Sequence, residues 1–156
     1  TQSFQEECNY SEAKMVGNLV HKILESELVD PKTTIGVITP YNRQRDQIKK
    51  CIGFNEYVEV GSVDSYQGRE RDIIIFSCVR TEGIGFMSDM ERLNVALTRA
   101  RHSLIIVGNF KSLQKDETWA LLLNNAKSRN LYRNVIHSHQ DLFQIILKPE
   151  WAERAS

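Results

Sequence analysis

Three short runs constrain the fold more than anything else in this chain. Thr34-Ile35-Gly36-Val37-Ile38-Thr39, Ile73-Ile74-Ile75-Phe76 (at the heart of a segment from Asp72 to Val79) and Ser103-Leu104-Ile105-Ile106-Val107-Gly108 are apolar at consecutive positions. A strand with one face in water alternates. A strand buried on both faces does not, and such strands belong to parallel sheets covered by helices. Val58 and Val60 mark a further short strand.

Helical periods fill the gaps. Val16, Leu19, Val20, Ile23, Leu24 and Leu28 form one face, with Asn9 and Glu12 as a capping box and Asp30-Pro31 as the stop. A second helix is expected from about Asn42 to Ile52. A third has Ser88 and Glu91 as its cap and Leu93, Leu97 and Ala100 as its stripe. A fourth carries Trp119, Leu122, Leu123 and Ala126, with Lys127 and Arg129 near its negative end. Strands alternating with helices predict an open α/β sheet with helices on both faces. In such sheets function collects beyond the strand C-terminal ends. The segments to read are therefore those after Ile38, Val60, Val79 and Val107.

Composition sets limits on that reading. At 156 residues the chain is the size of about one domain. Its 20 basic and 20 acidic residues cancel, so no overall basic field draws in nucleic acid and any such binding needs a local patch. Cys8, Cys51 and Cys78 are odd in number and contain no C-x-x-C pair, which indicates neither a disulfide framework nor a zinc module. No apolar run reaches the roughly 18 residues of a membrane span. The polar start Thr1-Gln2-Ser3 reads as a cut inside a longer protein. His137-Ser138-His139 lacks the companions of a metal site, and no metal site is expected.

The loops hold the chemistry. Thr39-Pro40-Tyr41-Asn42-Arg43-Gln44-Arg45 puts a hydroxyl, a ring and two guanidiniums where a strand gives way to a helix N-terminus, a place suited to phosphate. Gly61 to Asp72 (GSVDSYQGRERD) is polar for a segment entering the most apolar strand. There Gly68 permits close backbone approach and Glu70 suits a ribose hydroxyl. In Glu91 to Arg101, Arg92 and Arg99 are seven apart and share a helical face. Arg101, two from Arg99, is expected to point elsewhere.

In this order, Thr-Pro-Tyr-x-x-Gln-Arg, Val-Asp-Ser-Tyr-Gln-Gly-Arg-Glu and Arg-Leu-Asn-Val-Ala-Leu-Thr-Arg-Ala-Arg resemble motifs IV, V and VI of superfamily 1 helicases. The similarity is to the Upf-type branch, which includes the nonsense-mediated-decay helicase and senataxin. Cys78-Val79-Arg80-Thr81, Ile84-Gly85-Phe86 and Ile106-Val107-Gly108-Asn109 support it, and it covers roughly 9–131. Glu91 departs from the family, standing where many members have a second arginine, and the stretch from Cys51 to Val58 is short.

The resemblance implies a RecA-like P-loop-NTPase fold and the second, C-terminal motor domain, spanning 1–135, with 136–156 as an extension. It implies that Arg45 and Arg99 are arginine fingers for the γ-phosphate of ATP. Gln67, Gly68 and Glu70 would line the nucleotide. Thr39, Pro40, Ser62, Val63, Asp64, Arg80 and Asn94 would contact a single strand of RNA or DNA, moved 5′ to 3′. No glycine is followed by lysine, so the phosphate-cradling loop is lacking. By the resemblance that loop, and most of the hold on Mg²⁺, belong to a first RecA-like domain of the same chain. The fragment alone is expected not to hydrolyse ATP. The full protein is expected to be a monomeric cytoplasmic or nuclear helicase without a membrane partner. The rival reading is a non-catalytic helicase-derived module that binds nucleic acid or a protein.

Overall fold

Helix α1 (Tyr10–Glu25) starts where Asn9 accepts a hydrogen bond from the Glu12 N–H at 3.0 Å, satisfying one of the orphan donors of the first turn. The other half of the expected capping box is replaced: the Asn9 N–H donates to Gln44 Oε1 at 2.8 Å. The helix ends at Glu25, earlier than Asp30-Pro31 suggested. Ser26 is the C-cap, and its hydroxyl takes the Leu28 N–H at 3.1 Å, a local bond that competes with another helical turn. Leu28 therefore leaves the buried stripe and is half exposed.

The structure is a computed structural model that describes residues 8–62, 65, 70–78, 98–108 and 117–130. After α1 come β1 (Ile35–Ile38), α2 (Asn42–Ile52), β2 (Val58–Gly61), β3 (Arg71–Ser77), β4 (Ala100–Val107) and α3 (Glu117–Ser128). The four strands make one sheet in the order β2-β1-β3-β4, every pair parallel. This is the parallel α/β sheet that the non-alternating runs predicted, and it is consistent with the RecA-like fold that the resemblance implies. The helix expected after Ser88 lies outside the described residues apart from its end. There the structure corrects the reading, because Ala100 opens β4 instead of closing a helical stripe. Arg71 pairs with Ala100 but Ile73 with Ser103, so β4 carries one extra residue at its start.

Register assigns the faces. Ile35, Val58 and Ile73 lie side by side, as do Val37, Val60 and Ile75. These side chains meet Ala13, Val16, Leu19, Val20 and Ile23 of α1 and Ile48 and Ile52 of α2 in one core. Gly36, Ile38, Ile74 and Phe76 take the other face, and Ile38, Ile74 and Phe76 are buried too. At roughly 1.5–3 kcal/mol per buried large aliphatic or aromatic side chain, these two layers supply the main force for folding. α1 and α2 come very close: a Cβ placed on Gly17 would stand 2.8 Å from the Cys51 Cβ. On α3, Trp119 and Leu123 are buried and Leu121 is exposed. Asn130, with φ of 57°, closes that helix. All three cysteines are free.

Candidate nucleotide and nucleic-acid site

A parallel sheet has two unlike edges, one where strands begin and one where they end. The segment after β1 lies at the ending edge. The Thr39 N–H donates to the Gly61 carbonyl at 3.1 Å, extending the β1–β2 ladder by one residue. Ser62 follows directly, its hydroxyl accepting from the Ser65 N–H at 3.3 Å while the Ser65 hydroxyl donates to the Ser62 carbonyl at 2.8 Å. The structure thus brings Thr39, Pro40 and Ser62 together. Pro40 and Ser62 are half buried and Thr39 is 1% exposed. The Thr39 hydroxyl is buried and, among the described residues, has no hydrogen-bond partner.

The same segment carries α2. Thr39, Tyr41 and Gln44 are all buried, whereas Asn42 and Arg43 are exposed. The Arg45 side chain is 31% exposed, and among the described residues it makes a long 3.9 Å approach to Asp46. Its Nε is buried and hydrogen-bonds to nothing among the described residues. A buried guanidinium N–H without an acceptor carries a desolvation cost that an anion reaching it would offset.

Glu70 stands elsewhere. Gly61 is level with Ile38, and Ile38 with Phe76, so Glu70 lies six residues back along β3, about 20 Å from Ser62 along the strand direction. Ser62 and Glu70, close in sequence, thus stand at opposite edges of the sheet. At the starting edge Glu70 Oε2 meets Arg101 Nε at 3.4 Å, and Arg101 also approaches Asp72 at 3.8 Å. The Arg71 N–H donates to the Arg99 carbonyl at 3.0 Å, placing Arg99 beside Glu70 where β4 begins. Arg99 Nη2 donates to the Thr98 hydroxyl at 3.3 Å. Glu70 and Arg99 both directly precede their strands, at the edge opposite Thr39 and Ser62.

Arg101, set aside on helical geometry, is the ion-pair partner of Glu70. Helical spacing does not govern it because residues 100–107 are extended. The missed signal was the run of residues entering the apolar core of β4. Asp72 anchors this edge, its Oδ2 accepting from the Thr34 N–H at 2.9 Å and hydroxyl at 3.1 Å. An Arg71–Glu59 ion pair ties β3 to β2. Val63, Asp64, Gln67, Gly68, Arg80 and Asn94 lie outside the described residues, as do His137 and His139.

The described residues thus form a parallel α/β sheet with a partly buried arginine on the helix after β1 and an arginine–carboxylate cluster where β3 and β4 begin. Residues 1–111 match the AAA domain family model, and the chain belongs to that family. It is 47% identical over 134 residues to regulator of nonsense transcripts 1 of Dictyostelium discoideum, which covers 79% of this chain and 10% of that protein. It is 42% identical over 134 residues to helicase sen1 of Schizosaccharomyces pombe, covering 79% and 8%. With ATP-dependent helicase upf1 of the same yeast the identity is 39% over 153 residues, 90% of this chain and 16% of the relative. The chain is thus similar to Upf1-type superfamily 1 helicases and spans less than a fifth of the length of these three.

Proposed function

We propose that the chain is the second RecA-like motor domain of an ATP-dependent nucleic-acid helicase, supplying half of an interdomain ATP site. The observation that carries this reading is Arg45: its side chain is 31% exposed, and its buried Nε lacks a hydrogen-bond partner among the described residues. By analogy with the named helicases the chain is similar to, that anion is the γ-phosphate of ATP in this reading. Arg45 and Arg99 act as arginine fingers, countering charge on the transferring phosphoryl group. Glu70, with Gln67 and Gly68, meets the nucleotide, and Arg101 holds the Glu70 carboxylate in the apo state. Mg²⁺ is held mainly by the first domain.

Thr39, Pro40 and Ser62 at the strand-ending edge, joined by Val63, Asp64, Arg80 and Asn94, take a single strand of RNA or DNA. Hydroxyl and backbone contacts to phosphates hold a strand without reading sequence, which suits a chain with no net charge. Ser62 and Glu70 belong to one short segment of the sequence, which links the strand contacts to the nucleotide contacts. ATP closes the cleft against the first domain, hydrolysis opens it, and the strand advances 5′ to 3′. The motor occupies 1–135, works as a monomer and acts in the cytoplasm or nucleus.

The test uses the full-length protein. Arg45→Ala and Arg99→Ala should each lower strand-stimulated ATP turnover by about 10³-fold or more, the scale of arginine fingers in other NTPases. The 156-residue chain alone should not turn over ATP. Full activity in Arg99→Ala, or ATP turnover by the isolated chain, would sink the reading.

A further inference from the structure

Among the described residues, Gln44 is the most completely buried polar side chain outside the strands, at 0% exposure, and both ends of its amide are bonded. Its Oε1 accepts the Asn9 N–H at 2.8 Å, and its Nε2 donates to the Ser77 hydroxyl at 3.2 Å. The amide orientation is fixed by chemistry, since a backbone N–H only donates. One side chain therefore joins three elements: α2, the N-cap of α1 and the last residue of β3. α2 needs such an anchor because Tyr41, its N-cap residue, makes no side-chain capping bond. The next residue in the chain is Arg45.

We propose that Gln44 is a positioning residue of the motor. Its amide fixes the first turn of α2, and with it the Arg45 guanidinium, against the end of β3 and the start of α1. Buried as it is, it touches neither nucleotide nor strand and acts only through Arg45. A neutral amide suits this role, because it satisfies a buried donor and a buried acceptor at once and brings no charge beside the finger. The proposal rests on the motor-domain reading.

In the full-length helicase, Gln44→Leu removes both bonds at similar volume. kcat for strand-stimulated ATP hydrolysis should fall about 10- to 100-fold, the cost of displacing a catalytic group by about an ångström, with KM for ATP within about threefold. Ser77→Ala removes one bond and should lower kcat in the same direction, while Ser77→Thr, which keeps a hydroxyl, should restore it. Unchanged kcat in a folded Gln44→Leu protein overturns the proposal. So does a loss common to Ser77→Ala and Ser77→Thr, which would mark packing in place of the bond. If Gln44→Leu does not fold, the Ser77 pair decides. Arg99→Ala separates the two levels. Full turnover in that variant defeats the motor reading itself. Lost turnover there, with Gln44 and Ser77 variants that behave as wild type, defeats only the positioning role.

Discussion

Gly17→Ala should destabilise the protein even though alanine is the better helix former. Gly17 lies inside α1, where replacing glycine by alanine ordinarily gains about 1 kcal/mol. Here the new methyl would stand 2.8 Å from the Cys51 Cβ, with the Cys51 carbonyl carbon and oxygen at 3.5 and 3.6 Å. Neither the Cβ nor the carbonyl is the free end of a flexible chain, so α2 as a whole must retreat from α1. Overpacking of this kind costs roughly 1–3 kcal/mol, and the upper half applies because backbone must move. Net of the propensity gain, about 1–2 kcal/mol of stability should be lost, a Tm lowered by roughly 2–8 °C in a domain this size. Urea unfolding followed by circular dichroism measures it. Asn18→Ala, exposed on the same helix, should gain a few tenths of a kcal/mol. Cys51→Gly in the Gly17→Ala background should recover part of the loss. A Gly17→Ala protein as stable as wild type, or more so, would refute the close approach of the two helices.

Other outcomes follow from single contacts. Asp72→Ala leaves the Thr34 N–H and hydroxyl without their acceptor and should cost about 1–3 kcal/mol in urea unfolding, with Asp72→Asn milder. Burial, with a smaller contribution from Glu12, holds the Cys78 thiol well above its ordinary 9.0. The unfolded chain therefore releases that proton first, and stability should fall as pH rises past about 9; wild type minus Cys78→Ala, measured across pH 8–10, should isolate this slope. Phe54, 97% exposed after α2, should tolerate Phe54→Ser within about 0.5 kcal/mol, as read from the unfolding midpoint.

Much of this fold was legible because β1 and the body of β3 are buried on both faces, although β2 and β4, at the sheet's edges, are only partly buried. Ile73 to Phe76 has no polar position, so its class and place were plain from the residues alone. α2 begins and ends where Asn42 and Ile52 suggested. Boundaries failed where short-range chemistry overrode period. Ser26 stopped α1 before Leu28, and Ala100 opened a strand although it continued the spacing of Leu93 and Leu97. The candidate site was half legible. The motif resemblance singled out Arg45, Glu70 and Arg99 as candidates, but sequence adjacency of Ser62 and Glu70 concealed their separation across the sheet. Gln44 was hidden for another reason. A glutamine between two arginines has the look of solvent-facing helix, and only the tertiary fold reveals that its amide is spoken for.

The parallel pairing has a consequence for how the chain is made. β1 sits between β2 and β3, and its Ile35 pairs with Ile73, 38 positions later (73 minus 35). No hairpin can form along the way, because every described strand pair is parallel. At roughly 5–20 residues per second on the ribosome, β1 waits about 2–8 s for its inner neighbour. During that interval Ile35, Val37 and Ile38 have only α1, α2 and β2 to cover them, so the nascent chain passes through a stage in which one of its two inner strands stands at an open sheet edge.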